Sequence, residues 1–151
     1  MKKLLLILSI LSSSAFANAM EVGDNLPTFK LIDQFENEHV LSANTNTIIV
    51  TASKGMGEII RAYLLDQEKD FLVKNNAYYI ADISGMPSFI AKLFAVPKMK
   101  NCPFSILLVD EEQTKTFSKK EDQITIYTIE NAKVSSVKYI TTKEELAHVF
   151  D

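Results

Sequence analysis

The sequence predicts an α/β domain: a three-layer sandwich with a central mixed sheet flanked by helices. Three observations predict it. Ile48-Ile49-Val50 is an uninterrupted β-branched run, as in a strand buried on both faces. A helical pattern follows it, and Ala77-Tyr78-Tyr79-Ile80-Ala81-Asp82 then reads as a second strand, so the two pair in parallel through a crossover. Near the end, Ile124–Ile129 and Lys133–Ile140 read as a hairpin followed directly by a helix.

The elements follow in order. Met1 to Ala17 has a basic start at Lys2 and Lys3, an apolar run from Leu4 to Leu11 and a small-residue end, the pattern of a secretory signal peptide. Cleavage is expected after residue 17 or 19, leaving a domain at 21–151 in the periplasm. The apolar run falls short of the about 20 residues that a membrane span needs. Glu21 to Pro27 is irregular. Phe29–Asp33 and Glu38–Leu41 are expected to be strands joined across a turn at Gln34–Asn37. Glu58 to about Lys74 reads as one helix, with Ile59, Ile60, Tyr63, Leu64, Phe71 and Leu72 on its apolar face. Ser84 to Pro87 opens a second helix, whose apolar face is Phe89, Ile90, Leu93 and Phe94 and which Pro97 stops. Phe104–Val109 is a third strong strand. Thr141 or Thr142 caps the last helix, with Glu144 or Glu145 three places on completing a capping box. Ile48, Ile49, Val50, Ile80, Ile106, Leu108 and Ile126 are expected to share one central sheet.

Charge and cysteine content narrow the function. The chain carries a formal charge of -3, and loss of Lys2 and Lys3 with the leader moves it to -5. That argues against general binding to nucleic acid or to anionic membranes. After removal of the leader no stable membrane insertion is expected. Cys102 is the one cysteine, so no internal disulfide can form and packing must supply the stability.

This order of elements resembles the thioredoxin arrangement. The opening Val22-Gly23-Asp24-Asn25-Leu26-Pro27-Thr28-Phe29-Lys30-Leu31-Ile32-Asp33-Gln34 is similar to that of peroxiredoxins and exported thioredoxin-like reductases, which read Val-Gly, Pro-x-Phe-x-Leu, then Asp and a turn. The extra strand before the hairpin resembles the peroxiredoxin branch, and within it the exported YtfJ-like proteins. The resemblance implies that redox cysteines belong at the junction after Ile48–Val50, where a helix start favours the thiolate. Here that junction is Ser53-Lys54-Gly55-Met56-Gly57-Glu58, with no cysteine. Neither disulfide exchange nor peroxide reduction carries over. Ser53 has no histidine placed nearby by sequence to serve as its base. The resemblance also implies a cis-proline facing the junction. Pro103 is one candidate and would bring Cys102 beside it; if the last hairpin is 124–140, the preceding pair is Asp122-Gln123 and no proline stands there. The second register is preferred, because the fold ends in hairpin then helix.

The reading is therefore an exported, non-catalytic thioredoxin-like protein, a binding or accessory module with no cofactor and no metal. Its expected contact surface is Ser53, Lys54, Gly55, Met56 and Gly57, exposed at the carboxyl edge of the sheet, and its expected partner is another periplasmic protein or a small anionic ligand. The alternative is thiol redox chemistry through Cys102 alone, by mixed disulfide with an external thiol. A lone cysteine beside an apolar strand is more often a small buried residue. Met56, Met86, Met99 and Cys102 could offer Cu(I) soft donors, and Glu36, Glu38 and His39 hard ones; core filling and a solvated face are the preferred readings.

Overall fold

The structure, a computed structural model, describes residues 18–151. The expected leader at 1–17 lies outside the described residues. Seven strands form one sheet: β1 (Phe29–Asp33), β2 (Glu38–Leu41), β3 (Thr47–Thr51), β4 (Ala77–Asp82), β5 (Leu107–Val109), β6 (Ile124–Glu130) and β7 (Lys133–Ile140), in the order β2-β1-β5-β4-β3-β6-β7. β3 pairs in parallel with β4, and β4 with β5, while β3 with β6 and β6 with β7 are antiparallel. The hairpin of β6 and β7 is therefore the last one, and no cis peptide bond occurs among the described residues. Pro103 does not face the junction as a cis-proline, and the preferred register is the observed one.

Alternation along β3 divides the core. Ile49 faces one side with Ile60, Leu64, Ile126 and Leu146, while Ile48 and Val50 face the other with Leu31, Leu41, Ile80 and Tyr127. The first side is covered by helices α1 (Lys54–Leu65), α2 (Phe71–Lys74) and α5 (Lys143–Val149). The second is covered by the opening segment, through Met20 and Leu26, and by the β5–β6 connection with its 3-10 turn at Gln113–Thr116 and Phe117. Of the seven residues expected in the sheet, six lie in strands; Ile106 is buried just ahead of β5, and Leu108 is half-buried.

Local chemistry accounts for the ends and for three departures from expectation. Thr142 accepts a hydrogen bond from the Glu145 amide while the Glu145 carboxylate accepts from the Thr142 amide, so the expected capping box forms at α5. Asn131 and Ala132 both take positive φ, 51° and 61°, the two-residue hairpin turn that matches strand twist. The first departure is α1, which begins at Lys54, because the Ser53 hydroxyl accepts from the Met56 amide at 3.4 Å and caps it there. It stops at Leu65 and does not run on to Lys74. Asp66 and Asp70 are poor helix-interior residues, and the break swings Phe71 against Tyr63 and Phe150, with ring centroids 5.8 and 4.9 Å away.

The second departure is the helix expected to end at Pro97. It forms as α3 (Ser88–Ile90), a wide π turn (Ala91–Ala95) and α4 (Val96–Met99), with Pro97 inside the last piece. The Val96 amide donates to the Ala91 carbonyl, and the wide turn makes room for a ring that has no N–H to offer. Its expected apolar face is also mostly in solvent: Phe89, Leu93 and Phe94 are 61, 65 and 66% exposed. The third is the strand at Phe104–Val109, where pairing starts only at Leu107. Ahead of it the buried Gln34 side chain takes the place of a neighbouring strand. Its amide donates to the Phe104 carbonyl at 2.8 Å and to that of Met99 at 3.3 Å, and its oxygen accepts from the Ile106 amide at 2.7 Å.

Candidate functional site

Because β3 and β4 run parallel, their carboxyl ends meet at one edge of the sheet. A cavity of about 300 Å³ opens there, between the start of α1 and the α3–α4 segment. Its apolar lining comes chiefly from Ile83, Met86, Ile90, Phe94, Met99 and Ile106. Tyr79 and Cys102 line it from below, and Ser53, Lys54, Glu58, Arg61 and Lys98 supply its polar part. Such a crevice at the carboxyl edge is where open α/β sheets receive ligands.

The polar groups are unequally satisfied. Glu58 bridges the two helical segments: Lys98 Nζ donates to its Oε1 at 2.6 Å, and Arg61 Nη1 stands 3.7 Å from its Oε2. The bond from Lys98 holds the Glu58 carboxyl below its ordinary range, so the bridge is charged at neutral pH. Arg61 Nε is buried with no hydrogen-bond partner among the described residues. Tyr79 and Thr51 share a hydrogen bond of 3.1 Å between their hydroxyls. Burial pushes the Tyr79 phenol up to about 12, so it stays a neutral donor. Gly57 sits across from it, and a Cβ there would lie 3.5 Å from the Tyr79 hydroxyl.

At the end of β4, Asp82 is fully engaged. It accepts from the Ser84 amide and hydroxyl at 2.9 and 2.6 Å, and from Thr114 and Lys119, both at 2.5 Å. Burial opposes its ionisation, but these donors outweigh burial and hold the carboxyl below its usual value. A depressed folded-state value stabilises the fold above the unfolded value, near pH 4, and the contribution is lost as the pH falls through the folded one. Asp82→Asn is therefore expected to shrink the drop in urea midpoint between pH 7 and pH 3. An unchanged drop would assign the acid sensitivity to other carboxylates, such as the buried Asp33.

The cavity brings together Ser53, Lys54, Gly57 and Cys102, four of the six residues singled out from the sequence. Lys54 and Gly55 are exposed, as expected, but Lys54 to Gly57 form the first turn of α1 and are not a loop. Ser53 spends its hydroxyl as the cap. Met56 departs from expectation: it is half-buried and packs onto the core beneath α1, because the helical turn carries it round to that side. Cys102 is buried at 3% exposure. Neither histidine lines this cavity. His39 pairs with the buried Asp33 at 2.7 Å, and His148 with Asp151 at 2.8 Å. Of the soft donors, Met86, Met99 and Cys102 reach the cavity and Met56 does not line it. The sequence reading missed Tyr79, Arg61 and Lys98. From spacing alone Tyr79 is one strand residue among several, and nothing in the sequence marks Arg61 or Lys98.

No family model matches the sequence, and no curated protein matches it. Solved structures do match the fold. The chain is similar to StoA from Bacillus subtilis at 11% identity and a TM-score of 0.58, over 83% of this chain and 98% of that one. It is similar to the peroxidoxin BcpB from Mycobacterium tuberculosis at 15% identity and a TM-score of 0.53, over 85% and 93%. It is also similar to the thioredoxin domain of a thiol-disulfide oxidoreductase from Bacteroides vulgatus, at 12% identity and a TM-score of 0.52, over 88% and 100%. The fold is thioredoxin-like, and the chain has one cysteine, so no pair of cysteines stands at the helix start. Among the described residues no helix is long and apolar enough to cross a membrane.

Proposed function

We propose that this protein is an exported, non-catalytic member of the thioredoxin-like fold, a periplasmic binding module whose contact site is the start of α1 with the cavity beside it. One observation carries the reading: an open, mainly apolar cavity adjoins the helix start at which the fold's redox proteins would hold a thiol, and Ser53 to Gly57 supply none. The exposed Met86, Phe89, Leu93 and Phe94 support it. They extend the apolar surface outward from the cavity, as interaction sites do. Lys54 is an exposed charge at the rim, beside the paired Glu58 and Lys98.

A photo-reactive residue in place of Lys54 tests the reading. In expressing cells it is expected to give a discrete adduct from the exported fraction, while the same residue in place of Val73, exposed on α2 and outside the cavity lining, gives none. The absence of any adduct specific to position 54, with no small molecule bound in the cavity either, would overturn the reading.

A second reading, thiol chemistry through Cys102 alone, draws on Cys102 lining the same cavity. Its burial argues against it, since a thiol attacks only when it is accessible. The Cys102 thiol is expected to react with an aromatic disulfide reagent far more slowly in the native protein than in denaturant. Native labelling as fast as in denaturant would favour the second reading.

A further inference from the structure

We propose that the cavity binds a free aliphatic carboxylate, with its chain against Ile90, Phe94 and Met99 and its head group at Arg61 and Lys54. This rests on the binding-protein reading and names the ligand class of that site.

Volume sets the size. An apolar cavity of about 150 Å³ takes a benzene molecule. The cavity here, about 300 Å³, accommodates an alkyl chain of about eight carbons on that scale. The lining sets the polarity. Each peptide group of a polypeptide occupant would need a hydrogen-bond partner, and the Ile90, Phe94 and Met99 side offers none. An alkyl chain needs none.

The charge comes from Arg61. Its guanidinium is always protonated, and its buried Nε lacks a partner among the described residues. Its nearest acid, Glu58, stands 3.7 Å from Nη1, beyond hydrogen-bond reach, because the other Glu58 oxygen is drawn to Lys98 at 2.6 Å. The Nη groups, at the part-exposed end of the side chain, therefore keep donors for a carboxylate, the group whose two oxygens match them, while the enclosed Nε is held inside the protein. Lys54, on the rim, has no ion-pair partner among the described residues. Asp82, the other acid at the cavity, is occupied by Lys119. Glu58, the remaining acid of the rim, is compensated by Lys98, so Arg61 and Lys54 carry the charge that faces a ligand. The protein as a whole is acidic, so this cationic rim is local.

The test is a titration of the purified protein with octanoate and with octan-1-ol, followed by the methyl resonances of Ile90 and Ile106. Octanoate is expected to saturate and to bind about tenfold more tightly than the alcohol. Arg61→Gln is expected to bring octanoate down to the level of octan-1-ol, and Lys54→Gln, at an exposed site, to weaken it less. Gly57→Leu is expected to abolish binding of both with the fold intact. A Cβ at that position meets only the Tyr79 hydroxyl, at 3.5 Å, and Gly57 lines the cavity, so the rest of the leucine is expected to occupy it. Equal affinity for acid and alcohol, or an Arg61→Gln variant that binds octanoate as the wild type does, would overturn the proposal. Absence of octanoate binding beside a discrete adduct from position 54 overturns the ligand class alone. Absence of both overturns the binding reading itself.

Discussion

Replacement of Ile49 by alanine is expected to lower the unfolding free energy by about 2–5 kcal/mol, read from urea denaturation. Ile49 has no solvent exposure, and its strand lies between β4 and β6, so no edge is free to shift inward. Its side chain packs among Ile60, Leu64, Ile126 and Leu146, which come from two helices and a neighbouring strand. A cavity left there would have walls on every side, and the cost of a large-to-small change grows with the volume that cannot collapse. Ile32→Ala is the control. Ile32 is 54% exposed on β1, and its loss is expected to shift stability by about 0.5 kcal/mol or less. A near-native midpoint for Ile49→Ala would show that β3 is not the centre of the core.

Gln34→Leu is expected to cost a similar amount by a different route. The substitution keeps the volume roughly constant but removes the partners of the Phe104 carbonyl and the Ile106 amide. Each group left buried and unpaired costs about 1–3 kcal/mol, for about 2–6 kcal/mol in all. The same change releases the segment from Met99 to Ile106, which carries Cys102. Native thiol labelling of Cys102 is therefore expected to speed up in Gln34→Leu by more than it does in Ile49→Ala, although the two lose comparable stability. Equal labelling rates at matched stability would mean that Gln34 supports the global fold and has no local hold on that segment.

What the sequence made legible was whatever local pattern decides. The β-branched run at Ile48–Val50, the alternation at Ile124–Ile129 and the Thr142–Glu145 box each carry their structure within a few residues, and each forms. The departures have long-range causes. The α1 break at Leu65 is tied to Phe71 packing on Phe150, almost eighty residues away in sequence. Pro97 normally ends a helix; here the π turn before it absorbs the ring. Gln34 read as a turn residue, and nothing local marked it as the side chain that would bond to a backbone about seventy residues on. The site divides in the same way. The vacant helix start could be read directly from the absence of cysteine. The cavity could not, because it is assembled from α1, β4 and the α3–α4 segment, and the apolar residues that line and flank it, such as Phe94, look from spacing alone like core. Met56 was misassigned for the complementary reason. In a loop it would point outward, but one residue-by-residue turn of helix from Ser53 carries it inward.

On the proposed function, a thioredoxin-like fold is used here for binding without thiol turnover. The most direct measurement is catalytic reduction of a protein disulfide, with dithiothreitol as the reductant, by wild type and by Cys102→Ser. A dithiol cycle needs a resolving thiol, and the chain has none. The expected result is that both proteins leave the rate at that of dithiothreitol alone. Turnover by wild type that disappears in Cys102→Ser would contradict the claim.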